Sequence, residues 1–133
     1  MSMPGAAQIN ESLRGFDRLY GLEMISCSRE ESRAQVALRD ELRQPGGLLH
    51  GGVIASIAES LASLTTWMAV REAGRVAMGL SNNTSFLRPL TDGTAHAHAT
   101  RLHGGRTTWV WDVRVSDDEG CLCAISRVTV AVR

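Results

Sequence analysis

The chain has 133 residues, 44% of them apolar, a size that suits one domain burying roughly two-thirds of its unfolded surface. Its 14 basic residues, all arginine, are balanced by 14 acidic ones, which argues against a general nucleic-acid binder whose affinity rests on neutralising phosphates. Three cysteines, an odd number in a chain that is not small, argue against a disulfide framework.

The opening "MSMPGAAQIN" has no basic start followed by an apolar run, so no signal peptide is expected and the cytoplasm is the default location. A polar segment over residues 8–19 predicts a short helix with Asn10 as N-cap and a break at Gly21. "LEMISCSRE" and "SRAQVALRD" alternate in polarity and predict a hairpin. "ELRQPGGLLHGG" is punctuated by Pro45, Gly46 and Gly47 and predicts a loop.

From Gly51 to about Arg71 the chain is apolar nearly all round, as a helix wrapped by other structure should be. Glu59 and several Ser and Thr make it a packed core helix rather than a membrane span. After Gly74 the period changes to two. "RVAMGLSNNTSFLRP", "GTAHAHATRLH", "RTTWVWDVRVSD" and "GCLCAISRVTVAVR" predict four strands, with turns at "PLTDG", "HGG" and "DDEG". Cys121 and Cys123 alternate like strand neighbours and are expected to be buried thiols. Trp109 and Trp111 share a strand face and predict core or interface packing. His96 and His98 are a solvent-side pair; two ligands without a third make a poor zinc site, and no metal is expected.

These elements predict an α+β chain, residues 1–133 forming one domain with residues 1–20 as an N-terminal helical segment. Its antiparallel sheet curls around one long central helix, and the sheet's second face is solvated or covered in an oligomer.

The segment "QPGGLLHGGVIASIAESLAS" carries a more specific signal. His-Gly-Gly runs into an apolar helix with an acid eight residues after the first glycine. This resembles the active-site segment of hotdog-fold acyl-CoA thioesterases, those of the phenylacetate-degradation and 4-hydroxybenzoyl-CoA thioesterase group, in its glutamate branch. It is also similar to the proofreading and menaquinone-pathway thioesterases of enteric bacteria. "GLSNNTSFLRPLTDG" and "RLHGGRTTWVWDVRVSDDEGCLCAISRVT" resemble the strand pattern of the same family, so that the likeness runs from about Leu22 to the C-terminus.

The resemblance implies hydrolysis of an acyl-CoA by a homodimer at least, a homotetramer by family analogy, with no cofactor, since CoA is part of the substrate. It implies no nucleic-acid or membrane partner. Glu59 takes the place of the catalytic carboxylate and Gln44 that of an amide near the thioester. His50 and Gly51 match the pair at the helix start, with the Gly51 N–H directed at the thioester carbonyl. Ser63 falls where a hydroxyl stands one turn beyond the acid. Gly52, Gly79, Asn83, the run Phe86, Leu87, Arg88 and Pro89, and the run His103, Gly104, Gly105, Arg106, Thr107 and Thr108 fall in the segments that bind substrate or line the CoA groove. Some relatives have a histidine where Phe86 stands, and its replacement here fits an apolar or aromatic acyl group.

The chemistry of these residues agrees with that implication. The first N–H groups of a helix lack intrahelical partners and carry partial positive charge, and Gly51 and Gly52 have no Cβ to hinder approach. At ~1.5 Å rise per residue, Gly51 and Glu59 lie ~12 Å apart along one axis, so one chain cannot bring both to one carbonyl. Two antiparallel helices in a twofold dimer can. A carboxylate buried in such a helix suits acid–base work; Glu59 acts either as base on water or as nucleophile. Ser63 shares its face and holds the carboxylate, positions a water or merely fills the helix. His50 caps the helix, shapes the site or does both. Arg88 and Arg106 either grip CoA phosphates or are solvated strand-end residues. The reading from another class is a non-catalytic acyl-CoA-binding or sensor module on the same fold.

Overall fold

The computed structural model describes residues 3–133. The N-terminal segment folds as two short helices, α1 (Ala6–Ser12) and α2 (Gly15–Leu19), where the sequence predicted one. Gly15 makes the break: its φ of +62° lies in the left-handed region, which glycine adopts without a Cβ penalty. Asn10 is not an N-cap. It sits inside α1 and reaches the first strand, β1 (Glu23–Cys27). Its Nδ2 donates to the Met24 carbonyl at 2.9 Å, and the Met24 N–H donates to Oδ1 at 2.7 Å.

β2 (Glu31–Ala37) completes the expected hairpin, and a 3₁₀ turn at Asp40–Leu42 leads into the glycine-rich loop. The apolar segment is the long helix α3 (Gly51–Val70), carried on by a 3₁₀ turn over Arg71–Ala73 and stopped by Gly74 at φ +74°. The four alternating runs are β3 (Ala77–Phe86), β4 (Thr94–Gly104), β5 (Thr108–Ser116) and β6 (Leu122–Val132). The six strands form one antiparallel sheet in the order β1-β2-β4-β5-β6-β3. β3, the strand that follows α3, therefore pairs with the last strand and lies at an edge.

The sheet curls over α3, the hotdog architecture that the resemblance implied. Alternate strand residues supply the core: Ala95, Ala97 and Ala99 from β4, Trp109, Trp111, Val113 and Val115 from β5, Val128 and Val130 from β6. They meet Ile54, Ile57, Ala58, Leu61 and Ala62 of the helix. Buried polar bonds fix the contact. The Trp111 indole N–H donates to Thr66 Oγ1 at 2.9 Å, and that hydroxyl donates to the Ala62 carbonyl at 2.8 Å. Thr65 Oγ1 lies 2.7 Å from both Ser32 Oγ and the Leu61 carbonyl. Both tryptophans are core residues, as expected.

Two details differ from the sequence-based expectations. The sheet does not wrap α3 completely, so Glu59 is exposed in the chain rather than buried. Cys121 precedes β6 and is only half-buried, as is Cys27; Cys123 alone is buried. All three thiols are free, and burial pushes those of Cys27 and Cys123 above the ordinary range. On the outer face, His96 and His98 each pair with a carboxylate: Nε2 of His96 lies 2.7 Å from Asp118 Oδ1, and Nε2 of His98 lies 3.2 Å from Glu31 Oε2. The bond from His96 holds the Asp118 carboxyl below its usual range.

The Trp111–Thr66 bond should be measurable. Thr66→Val leaves the buried indole N–H without an acceptor and is expected to cost about 1–3 kcal/mol in urea unfolding. Thr66→Ser keeps the acceptor and should cost less, about 0.8 kcal/mol for the lost methyl.

Candidate active site

The loop before α3 is stitched down on both sides. The Arg43 guanidinium donates to the carbonyls of Gly47 at 2.5 Å and Thr91 at 2.6 Å. Leu49 N–H donates to the Leu90 carbonyl at 2.8 Å, and His50 N–H donates to the Leu42 carbonyl at 2.9 Å. Within the loop, Gln44 Oε1 accepts the Gly46 N–H. The other end of that amide, its NH₂, is left to donate elsewhere.

These bonds aim the start of α3. His50 is the N-cap: its Nδ1 accepts the Gly52 N–H at 2.8 Å, and its carbonyl takes the N–H of Val53 at 3.0 Å. That ring nitrogen is therefore unprotonated, and any ring proton sits on Nε2. The Gly51 N–H has no acceptor among the described residues. The Phe86 ring lies directly against Gly51; a Cβ built there would stand 2.9 Å from Phe86 Cζ, so any larger residue would push the ring aside. Gln44, Gly51, Ile54, Phe86, Leu87 and Arg88 line a cavity of about 360 Å³ together with Pro89 and neighbouring leucines. An unpaired amide at a helix N-terminus, beside an amide side chain and an apolar wall, can receive a carbonyl oxygen as negative charge develops on it.

Glu59 is not in that cavity. It stands on the exposed face of α3 against Gly79 of β3, where a Cβ would lie 3.3 Å from its Cδ. It lines a smaller cleft of about 180 Å³ with Phe16, Ala55, Ser56, Ser60 and Asn82. Ser63, one turn on, is half-buried, and its Oγ is buried with no hydrogen-bond partner. A buried hydroxyl left unmatched costs about 1–3 kcal/mol, so this one is an open valence next to the acid.

The structure thus gathers Gln44, His50, Gly51, Gly52 and the run Phe86–Pro89 at the head of α3, and Glu59, Ser63 and Gly79 around its middle. Asn83 joins neither group. It faces the outer side of the sheet beside Asp112 and Arg127. The hairpin residues His103, Gly104, Gly105, Arg106, Thr107 and Thr108 sit at the opposite end of the sheet from Phe86. Thr108 aligns with Ala131 of β6 and Phe86 with Ala124, roughly 23 Å along the strand at ~3.3 Å per residue. Neither Arg88 nor Arg106 makes an ion pair among the described residues.

Sequence reading missed the group on α2 that abuts Glu59. Ser60 Oγ donates to Asp17 Oδ1 at 2.6 Å, and the Tyr20 hydroxyl lies 3.4 Å from Asp17 Oδ1 and from the Ser56 carbonyl. Burial pushes the Tyr20 phenol well above its ordinary value, so it remains a protonated donor. The signal was the aromatic pair Phe16 and Tyr20, four residues apart in a short charged stretch.

Comparison with known proteins shows the family and the fold. A family model described as thioesterase superfamily matches residues 46–124. The chain is 37% identical over 130 residues to the esterase PA1618 of Pseudomonas aeruginosa, covering 97% of this chain and 90% of that one. A crystal structure of thioesterase PA1618 superposes with a TM-score of 0.93 at 36% identity, over 98% of this chain and 95% of that one. A 1,4-dihydroxy-2-naphthoyl-CoA hydrolase of Listeria monocytogenes is 32% identical over 119 residues, 90% of this chain and 96% of its own. A thioesterase of Staphylococcus aureus, SAV0944, superposes with a TM-score of 0.85 at 25% identity, over 88% of this chain and 97% of that one.

The His50 cap yields a stability prediction. His50→Ala is expected to lose about 1 kcal/mol, a fall of a few degrees in Tm, while His50→Asn, an able cap, retains most of it. Thermal melts of the two variants check this.

Proposed function

From a chain that belongs to the thioesterase superfamily and is a thioester hydrolase, we propose an enzyme that cleaves an aryl- or medium-chain acyl-CoA to the free acid and CoA in the cytoplasm. The observation that carries this reading is the pairing of an unmatched Gly51 amide with an exposed Glu59 on one straight helix. The two face different cavities of the same chain, ~12 Å apart along the axis. A twofold pair of chains joined along β3 would bring each Gly51 opposite the partner's Glu59. The edge of β3 supports that pairing, since Met78 and Leu80 stand more than half exposed there, at 56% and 59%.

In this reading Gln44, His50 and Gly51 come from one protomer and Glu59 and Ser63 from its partner. Gly51 N–H polarises the thioester carbonyl, and the Gln44 NH₂ steadies the substrate. As a base, Glu59 takes a proton from water while the hydroxide oxygen adds to the carbonyl carbon. The oxyanion collapses, the C–S bond breaks, and the thiolate of CoA leaves and is protonated. As a nucleophile, Glu59 itself adds and water then cleaves the mixed anhydride. Ser63 Oγ, lacking any partner in the chain, orients the carboxylate or the water. Arg88 and Arg106, both free of carboxylates, take CoA phosphates. Two such dimers make the tetramer expected from the family.

Two features of relatives lend weight. Structures of SAV0944 exist as single alanine mutants at a glutamine and at a glutamate fifteen positions apart, the separation of Gln44 and Glu59. The Listeria hydrolase acts on an aryl-CoA, and here Phe86 and the leucines give the first cavity an apolar lining.

Release of CoA from benzoyl-CoA and hexanoyl-CoA, followed with a thiol reagent, tests the reading. Glu59→Gln should lower kcat by about 10²–10⁴ and Gln44→Ala by up to about 10². Retained turnover in Glu59→Gln would remove the acid from its role, and tight binding without turnover by the wild type would favour an acyl-CoA sensor. Co-expressing Glu59→Ala with Gln44→Ala chains should restore roughly a quarter of the wild-type sites, because half the dimers are mixed and each then holds one intact site. No recovery would mean that each site is built from one chain.

A further inference from the structure

The cleft that contains Glu59 has a lining residue from an unexpected place. Phe16, on α2, is 58% exposed, a large apolar surface left open where it lines the cleft. It is held there firmly. Its ring packs edge-on against Tyr20, with centroids 5.1 Å apart and planes at 68°. Tyr20 is 2% exposed and Asp17, the residue after Phe16, accepts the Ser60 hydroxyl at 2.6 Å. The ring is thus tied to the same two turns of α3 that carry the acid.

Most of the polar groups around it are already engaged. Ser56 Oγ donates to the Gly52 carbonyl at 2.7 Å, Ser60 Oγ to Asp17, and Asn82 Nδ2 to the Ala55 carbonyl at 2.9 Å. Asn82 Oδ1 in turn accepts the Thr84 hydroxyl at 2.7 Å. Both serine hydroxyls have their protons engaged, and only the second N–H of the Asn82 amide is left to meet a polar substituent. What the cleft offers beside the carboxylate is the Phe16 ring and the Ala55 methyl. Its volume is about 180 Å³, and an apolar cavity of about 150 Å³ takes up one benzene ring.

We propose that Phe16 is the residue that selects the acyl group, packing against an aryl ring or the first carbons of an alkyl chain whose carbonyl lies at Glu59. This rests on the hydrolase reading above and adds to it a role for the N-terminal helix pair. Phe16 and Glu59 line the same cleft, so the atoms next to a thioester carbonyl held at Glu59 enter the space that the Phe16 ring bounds, whereas an acetyl group has too few atoms to use that surface. Specificity then comes chiefly from apolar contact, worth about 10- to 200-fold in discrimination per methylene.

Steady-state hydrolysis of benzoyl-, hexanoyl- and acetyl-CoA by the wild type, Phe16→Ala and Phe16→Leu decides the matter. Phe16→Ala is expected to raise KM for benzoyl- and hexanoyl-CoA about tenfold, with kcat changed less than about twofold and acetyl-CoA turnover nearly unaffected. Phe16→Leu should restore hexanoyl-CoA more fully than benzoyl-CoA, because a branched alkyl surface replaces the ring. An equal fall for all three substrates, or no change in their ratio in both variants, overturns the proposal. Should Phe16→Ala fail to fold, the hexanoyl-to-benzoyl ratio of Phe16→Leu carries the test alone. A wild type that turns over none of the three would sink the hydrolase reading and this inference with it. A wild type that turns them over, with selectivity indifferent to residue 16, would sink the inference alone.

Discussion

The chemistry turns on the stiffness of one helix. α3 fixes an unmatched amide at Gly51 and a carboxylate at Glu59 on a rod, ~12 Å apart, and hydrogen bonds along the rod forbid them to approach. A chain that needed both groups at one carbon atom could bend its helix, add a loop or use a second copy. This chain has no proline in α3, and the core residues Ile57, Ala58, Leu61 and Ala62 hold the rod straight against the sheet. What it does have is an uncovered stretch beside the acid. The sheet stops at β3, leaving Glu59 and the apolar edge side chains Met78 and Leu80 open together.

The same economy shows in the small residues. At Gly51 the Phe86 ring stands where a Cβ would go, and at Gly79 the Glu59 carboxylate lies close against the same space. Glycine at those positions does more than free the backbone. It lets an aromatic wall and a carboxylate lie against a main chain that must stay accessible. On β4, alanine at 95, 97 and 99 performs a comparable service for the core, with Val115 and Val113 of the next strand facing Ala97 and Ala99.

Much of this was legible in the residues alone. The long helix and the four period-two strands were recoverable because their patterns persist over nine or more residues each. The His-Gly-Gly segment was recoverable because its parts are contiguous. Features set by tertiary contacts were not. The break at Gly15 depends on a positive φ that local propensity does not reveal, and Asn10 found a partner in Met24, fourteen residues on. Glu59 was expected to be buried because its neighbours in sequence are apolar. Burial, however, is conferred by what covers a face, and the chain itself does not cover this one. Phe16 escaped notice for the opposite reason, since nothing nearby in sequence points to residues 55–60.

The two borders of the sheet are treated unequally. β1 is short, its pairing with β2 slips between Met24 and Ser26, and the Asn10 amide occupies the Met24 backbone from outside. β3 is ten residues long and has no such stopper. A ribbon open at both margins would recruit copy after copy and grow into a filament. With the Met24 backbone already held by the Asn10 amide, a strand added at that margin would have to displace it, whereas the β3 margin presents no such obstacle.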